Sequence, residues 1–190
     1  QLQHIMKYKK ALVTGGTSGI GLSIVKFLSK NNYDIFFIGT QIDSGKKIEK
    51  NLRVFSKGQI KFIQLDLSDL NLVKKFVAEF SQSHSELDLL VNVAGALFPK
   101  RQENDQGIEK TFAISYLSAY ILSTELSNLL HNTKNARIIN VSTAPKKVLN
   151  KTIDFDAVDS AGSYNAMEAS LVSVHAKTIM TQVLSERFKT

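Results

Sequence analysis

The stretch Ala11-Leu12-Val13-Thr14-Gly15-Gly16-Thr17-Ser18-Gly19-Ile20-Gly21 decides the fold of this chain. A short apolar run leads into a glycine-rich turn. The turn opens directly onto Ile20, Ile24, Phe27 and Leu28, whose spacing is helical. Such a strand-to-helix turn leaves backbone N–H groups facing outward at a helix N-terminus, where the dipole favours a pyrophosphate. Gly15 permits the tight turn, Gly19 a close approach by ligand, and Gly21 close packing of helix on strand. Thr17, Ser18 and Ile20 belong to the same turn. A plain glycine-containing turn is the bland alternative. The strand before it and the helix after it favour a dinucleotide site.

Outward from that turn, apolar runs of strand length alternate with longer amphipathic stretches. The runs cover residues 11–13, 35–38, 60–65, 87–93 and 137–141, rich in Ile, Val, Leu and Phe with little alternation. Such runs suit strands of a parallel sheet covered on both faces. Helical spacing marks 20–29, 44–55, 70–80, a long stretch 103–130, and 166–188. The pattern predicts an α/β fold: a Rossmann-type doubly wound parallel sheet, order 3-2-1-4-5, with helices on both faces. Pro99 and Pro145 each follow a predicted strand, at the sheet end where open α/β folds bind ligands.

With 190 residues, the chain is sized for one domain with its own core. Residues 6–190 are read as that single dinucleotide-binding domain, with 1–5 ahead of Met6 left outside it. The 43% hydrophobic and 22% charged fractions argue against disorder. The absence of Cys excludes a disulfide scaffold, a thiolate metal site and a Cys nucleophile. No apolar run reaches the ~18 residues of a membrane span, and nothing at the start reads as a signal peptide. A cytoplasmic location with no membrane contact is the expectation. The net charge of +7 arises from 24 Lys+Arg against 17 Asp+Glu. The lysines sit in small groups, such as Lys46 with Lys47 and Lys74 with Lys75, without interleaved aromatics. They suit solvated helix faces, and no nucleic-acid partner is expected. His4, His84, His131 and His175 are scattered, so no metal site is predicted.

The run Thr14-Gly-x-x-x-Gly19-x-Gly21 resembles the short-chain dehydrogenase/reductase family. Leu65-Asp66-Leu67 closes the third strand, where the family places an Asp against adenine. Leu90-Val91-Asn92-Val93-Ala94-Gly95 resembles its Asn-Asn-Ala-Gly element. Arg137-Ile138-Ile139-Asn140-Val141-Ser142-Thr143 resembles its fifth strand, which ends at the catalytic Ser. Tyr164-Asn165-Ala166-Met167-Glu168-Ala169 resembles the run before the catalytic Tyr in the retinol-dehydrogenase-like branch. The resemblance spans residues 9–188 and implies an NAD(P)-dependent oxidoreductase moving hydride between nicotinamide and a carbonyl or alcohol carbon. The implied cofactor residues are Gly15, Thr17, Ser18, Gly19, Ile20, Gly21, Thr40, Asp66, Leu67, Asn92, Ala94 and Gly95.

NAD enzymes of this fold place an acid about 20 residues past the glycines to bind the ribose 2′-hydroxyl. Here Gly39-Thr40-Gln41 occupies that place. The lack of a carboxylate there favours NADP over NAD. Thr40 is read as a donor to the 2′-phosphate, and Lys46 or Lys47 as its counter-charge if the loop folds back. Asp43 is read as the cap of the second helix.

The resemblance also implies a Tyr acid, a Lys four residues later, a Ser and an Asn on the long helix. A free Tyr pKa of about 10 must fall by roughly 3 to work near neutrality, largely through nearby positive charge. A gap-free alignment on Leu184-Ser-Glu-Arg-Phe188 puts Ser170 at the Tyr position and Val174 at the Lys position. A second uses Tyr164 as the Tyr and leaves Glu168 at the Lys position, where it raises a phenol pKa. His175 and Lys177 fall off the required helix face in this reading. Thr143 aligns with the family Ser, with Ser142 before it; Ser115 replaces the Asn. The catalytic candidates are therefore Ser142, Thr143 and Tyr164, in a non-standard site. The fold is expected to be shortened at its C-terminal edge, on the substrate side. A cofactor-binding pseudoenzyme acting as a sensor or partner subunit is the alternative. Apolar faces on the fourth and last helices, including Phe112, Tyr116, Tyr120, Leu171 and Val174, point to a homodimer.

Overall fold

A computed structural model describes residues 8–142 and 164–188. Its strands are β1 (Lys9–Thr14), β2 (Tyr33–Gly39), β3 (Ile60–Gln64), β4 (Leu89–Asn92) and β5 (Arg137–Asn140). The helices are α1 (Gly19–Ser29), α2 (Ile42–Arg53), α3 (Leu70–Ser83), α4 (Lys110–Phe112), α5 (Ser118–Glu125), α6 (Ser127–His131) and α7 (Ala166–Arg187). A π turn, Ala113–Leu117, joins α4 to α5. Among the described residues the strands form one parallel sheet, ordered β3-β2-β1-β4-β5, as the pattern predicts.

The near-continuous apolar runs have a direct structural meaning. Along β1, Leu12 enters a core beneath α3 and α5, while Ala11 and Val13 enter a second core beneath α1 and α2. In β2, Phe36 and Ile38 take the first side, and Ile35 and Phe37 the second. Both sheet faces are thus dry, and no polar residue breaks either run. Phe37 is fully buried, packs on the Phe62 ring and closes over Gly16.

Two boundaries differ from expectation. The predicted helix 103–130 begins only at Lys110. Ahead of it Glu103 pairs with Glu109 in an isolated bridge. Gly107 turns that segment at φ +74°, and the Asn104 side chain accepts from the Gln106 and Ile108 amides. Local side-chain bonding outcompetes helix there, and Glu109 then caps α4 through the Thr111 and Phe112 amides. Asp43 does not cap α2: it lies in the first turn behind Gln41, which makes no side-chain capping bond. The helix begins two residues earlier than the Asp signal suggests, so its first-turn charge meets the helix dipole instead.

Phe37→Ala is expected to cost about 3–5 kcal/mol. Urea unfolding followed by circular dichroism measures it.

Candidate functional site

The β1–α1 turn builds the site. Gly15 and Gly19 have φ of +65° and +50°, the region glycine enters without a Cβ penalty. A Cβ on Gly21 would lie 2.1 Å from the Gly15 carbonyl oxygen, so only glycine lets α1 sit this close to the turn. A Cβ on Gly19 would meet nothing within 4 Å, because that residue faces open space. Ser18, extended at the N-cap, makes no side-chain capping bond. The first amides of α1 therefore face a cleft rather than a protein acceptor.

That cleft has a volume of about 420 Å³ and runs across the C-terminal ends of β1, β2, β3 and β4. Gly15, Thr17, Ser18, Gly19, Ile20 and Gly21 line one side, with Gly39 and Thr40 at the end of β2. Asp66 and Leu67 close one end; Val93, Ala94, Gly95 and Ala96 close the other. The Asp66 carboxylate also accepts from the Ser68 amide and hydroxyl, both at 2.8 Å, which fixes its orientation. Thr14 Oγ1 accepts from the Val93 and Ala94 amides, at 3.0 and 3.1 Å, and so ties the end of β1 to the loop leaving β4.

Asn92 has a different place from the other cofactor candidates. It is buried at the end of β4 and donates through Nδ2 to Ser123 Oγ at 3.1 Å and Asn140 Oδ1 at 2.8 Å. Asn140 in turn donates to Thr181 Oγ1 at 2.9 Å. This chain of bonds ties β4 and β5 to α5 and α7, behind the cleft. Ser115 accepts from the Ala96 amide and supports the same loop from the π turn. Lys46 does not fold back towards Thr40. Helix begins at once after Gln41, and Lys46 pairs with the buried Glu49 at 3.1 Å. Glu49 also receives the Phe62 amide, so it clamps α2 to β3.

On the catalytic side, Ser142 lies just past β5 and Thr143 is outside the described residues. Tyr164 stands at the start of α7 but does not line the cleft. Its hydroxyl donates to Glu109 Oε1 at 3.0 Å and lies 3.4 Å from Thr111 Oγ1. Burial raises its pKa, with Glu109 adding to the shift and Thr111 opposing it. A neutral-pH acid needs the opposite direction.

The structure corrects the placement of Lys177. It is only 3% exposed, and its Nζ lies 3.5 Å from the Val141 carbonyl oxygen. Ala169, Val172, Ser173, Ala176, Met180 and Leu184 are buried along the same side of α7. That spacing was visible in the sequence; anchoring the helix on its C-terminal residues hid the four-residue step from Ser173 to Lys177. Ser173 is fully buried, and its hydroxyl donates to the Ala169 carbonyl at 2.8 Å. Burial lowers the Lys177 pKa from 10.5 to about 8.

Residues 9–152 match the family model for short chain dehydrogenase. The chain belongs to the short-chain dehydrogenase family. Short-chain dehydrogenase TIC 32 A of Brassica napus is 28% identical over 191 residues, covering 96% of this chain and 59% of that protein. Polyprenol dehydrogenase of Danio rerio is 32% identical over 144 residues, covering 72% of this chain and 44% of that protein. Retinol dehydrogenase 11 of Homo sapiens is 26% identical over 182 residues, covering 95% and 57%. The chain thus spans about half the length of the curated relatives it matches. In fold it is similar to a Pseudomonas aeruginosa RhlG/NADP complex, with TM-score 0.72 and 22% identity, covering 96% of this chain and 68% of that one. A metagenomic short-chain oxidoreductase in complex with NADP gives TM-score 0.74 at 21% identity, covering 95% and 76%. Among the described residues no helix is long and apolar enough to cross a membrane, and no cluster of metal-ligating side chains occurs.

Two outcomes follow from this geometry. Gly19→Asp puts a carboxylate in open space before the α1 amides, at a φ that Asp tolerates. It is expected to keep the fold while weakening NADPH binding roughly a hundredfold, about 2.8 kcal/mol, by fluorescence titration. The second concerns Lys177, whose pKa is lower folded than unfolded. The folded state therefore loses on the order of 3 kcal/mol below about pH 8 and recovers it as pH rises towards 10.5. Lys177→Met should be more stable than the parent at pH 7 and lose that advantage at alkaline pH, measured as the difference between paired urea melts.

Proposed function

We propose that this chain is the cofactor-binding core of an NAD(P)-dependent oxidoreductase for a carbonyl/alcohol couple, with a non-standard catalytic site. The observation that carries this reading is the row of unpartnered α1 amides facing a cleft whose Gly19 wall has room for a ligand. When bound, the cofactor supplies or accepts hydride at its nicotinamide ring. The amides of Gly19, Ile20 and Gly21 hold the pyrophosphate. Asp66 and Leu67 face the adenine end, and Val93 to Ala96 form the floor at the other. Thr40 stands beside the adenine ribose, where no carboxylate follows on β2. That supports NADP over NAD, as do the NADP complexes of similarly folded proteins. Asp43, in the first turn of α2, acts in the opposite sense.

Thr143, aligned with the family Ser, and Ser142 before it are the candidates for the substrate-orienting hydroxyl in this reading. The second reading, a nucleotide-binding subunit without turnover, draws support from Ser173 and Tyr164, whose hydroxyls are committed to Ala169 and Glu109. Homodimerisation is supported by Tyr120, Ile179 and Val183, which leave an exposed apolar face along α5 and α7.

Titration with NADPH and NADH tests the reading. NADPH is expected to bind more tightly, and Thr40→Asp to weaken NADPH roughly tenfold by charge repulsion while sparing NADH. Failure of both nucleotides at millimolar concentration would remove the nucleotide-cleft assignment. Consumption of bound NADPH by aldehydes or ketones separates an enzyme from a silent subunit.

A further inference from the structure

We propose that the end of the molecule opposite the nucleotide cleft docks on an anionic lipid bilayer. Phe27, Val54 and Phe55 enter the headgroup layer, and the lysines beside them meet its charge. This contact goes beyond the oxidoreductase reading and does not depend on it.

The topology brings the parts together. In a parallel sheet each crossover helix runs back to the start of the next strand. α1 and α2 therefore both finish at the N-terminal end of the sheet, while the cleft lies at the C-terminal end. They cover the same sheet face, since Val25 and Leu28 of α1 share a core with Ile48 and Leu52 of α2. The loops that follow them touch. A Cβ on Gly58 would lie 2.2 Å from the Tyr33 carbonyl oxygen, and the Gln59 amide donates to Asp34 Oδ1 at 2.7 Å. Lys9, at the start of β1, is in register with Tyr33.

The apolar part of this surface has no packing role within the chain. Phe27 is 65% exposed, and Val54 and Phe55 are each 75% exposed. None of the three joins a core cluster. The turn that presents Val54 and Phe55 is closed, because the Phe55 and Ser56 amides both donate to the Leu52 carbonyl. Two large apolar side chains are thus held outward at the tip of a short turn.

The charged part flanks them. Lys26 precedes Phe27 and Lys30 lies one turn further on; Lys50 lies one turn before Val54 and Lys57 just beyond Phe55. With Lys9 these side chains are exposed, and among the described residues none of the five pairs with a carboxylate. Arg53 is held by the buried Glu49. Within residues 26–34 and 50–60 the sole acid is Asp34.

An anionic bilayer complements both parts. Its surface potential attracts lysines, and its headgroup layer takes up aromatic and aliphatic side chains. Lysine stems lie along the apolar residues while their ammonium groups reach lipid phosphates. A second copy docked by two-fold symmetry would set these lysines against their own counterparts. A nucleic-acid backbone would match the lysines and leave Val54 without a partner. Among the described residues no helix is long and apolar enough to cross a membrane, and a contact of this kind needs only the depth of the headgroups. It departs from the expectation of no membrane contact, which answered to spans and leaders alone. The cleft, at the far end of the sheet, stays open to water.

Sedimentation of the full chain with phosphatidylcholine vesicles, with and without phosphatidylserine, tests the proposal. Binding is expected to be roughly tenfold or more tighter where phosphatidylserine is present, and to weaken with salt. Lys30→Gln with Lys57→Gln is expected to lower that affinity roughly thirtyfold. Val54→Ser with Phe55→Ser is expected to lower it roughly tenfold and to leave the salt dependence unchanged. The chain has no Trp, so Phe55→Trp supplies a lone fluorescent reporter, expected to shift to the blue on the phosphatidylserine vesicles. Equal binding to both kinds of vesicle overturns the proposal, as does an unshifted reporter or parent-like affinity in either double variant. Displacement from the vesicles by single-stranded RNA or polyglutamate that binds more tightly than they do also overturns it, in favour of a polyanionic partner.

Discussion

The cleft depends on two close contacts, the first of which a single methyl group would prevent. The first is α1 against its own turn, where Gly21 lies beneath the Gly15 carbonyl. The second is β1 against the loop after β4, where Thr14 accepts two successive amides through one hydroxyl. The first aims the helix end at the crevice. The second holds the crevice's far lip in register with it. Parallel strands leave their C-terminal ends on one side of the sheet, so every loop that reaches the ligand inherits its position from these two contacts.

Behind the crevice the molecule is held by a different kind of bond. Asn92, Asn140, Ser123 and Thr181 connect β4, β5, α5 and α7 through side chains alone. Glu49 plays a comparable part at the other margin, joining α2 to β3. These polar groups, of which Asn92, Ser123 and Glu49 are buried, specify which helix lies over which strand, a task that interchangeable aliphatic contacts perform poorly. The cost is visible at Asn92, whose Oδ1 is buried without a partner among the described residues.

The sheet and its order were legible because nothing in runs such as 35–38 contradicts burial on both faces. The phosphate turn was legible because glycine spacing there answers to steric needs at Gly15, Gly19 and Gly21. The start of α4 was not, since Asn104 and Gly107 sit inside a pattern that also satisfies helical spacing. The role of Tyr164 was hidden for another reason: its partner Glu109 is 55 residues away and carries no local mark. Lys177 was misplaced because a long helix with small and apolar residues on several sides permits more than one register. The strand beneath α7 selects among them. Asn92 illustrates a further limit: a motif places a residue at a strand end without saying which way its side chain turns.

The α1 amides that face the cleft have a consequence for how an anion is gripped. Backbone dipoles do not titrate, and no long side chain must be immobilised to use them, which otherwise costs about 0.5–1.5 kcal/mol for each one. The grip on a pyrophosphate is therefore set when the chain folds and stays the same across the pH range in which it remains folded. Lys177, in a separate cavity beside Ser142, has its pKa lowered to about 8 by burial. The cleft's hold on an anion is thus blind to proton concentration, while the buried lysine of α7 responds to it.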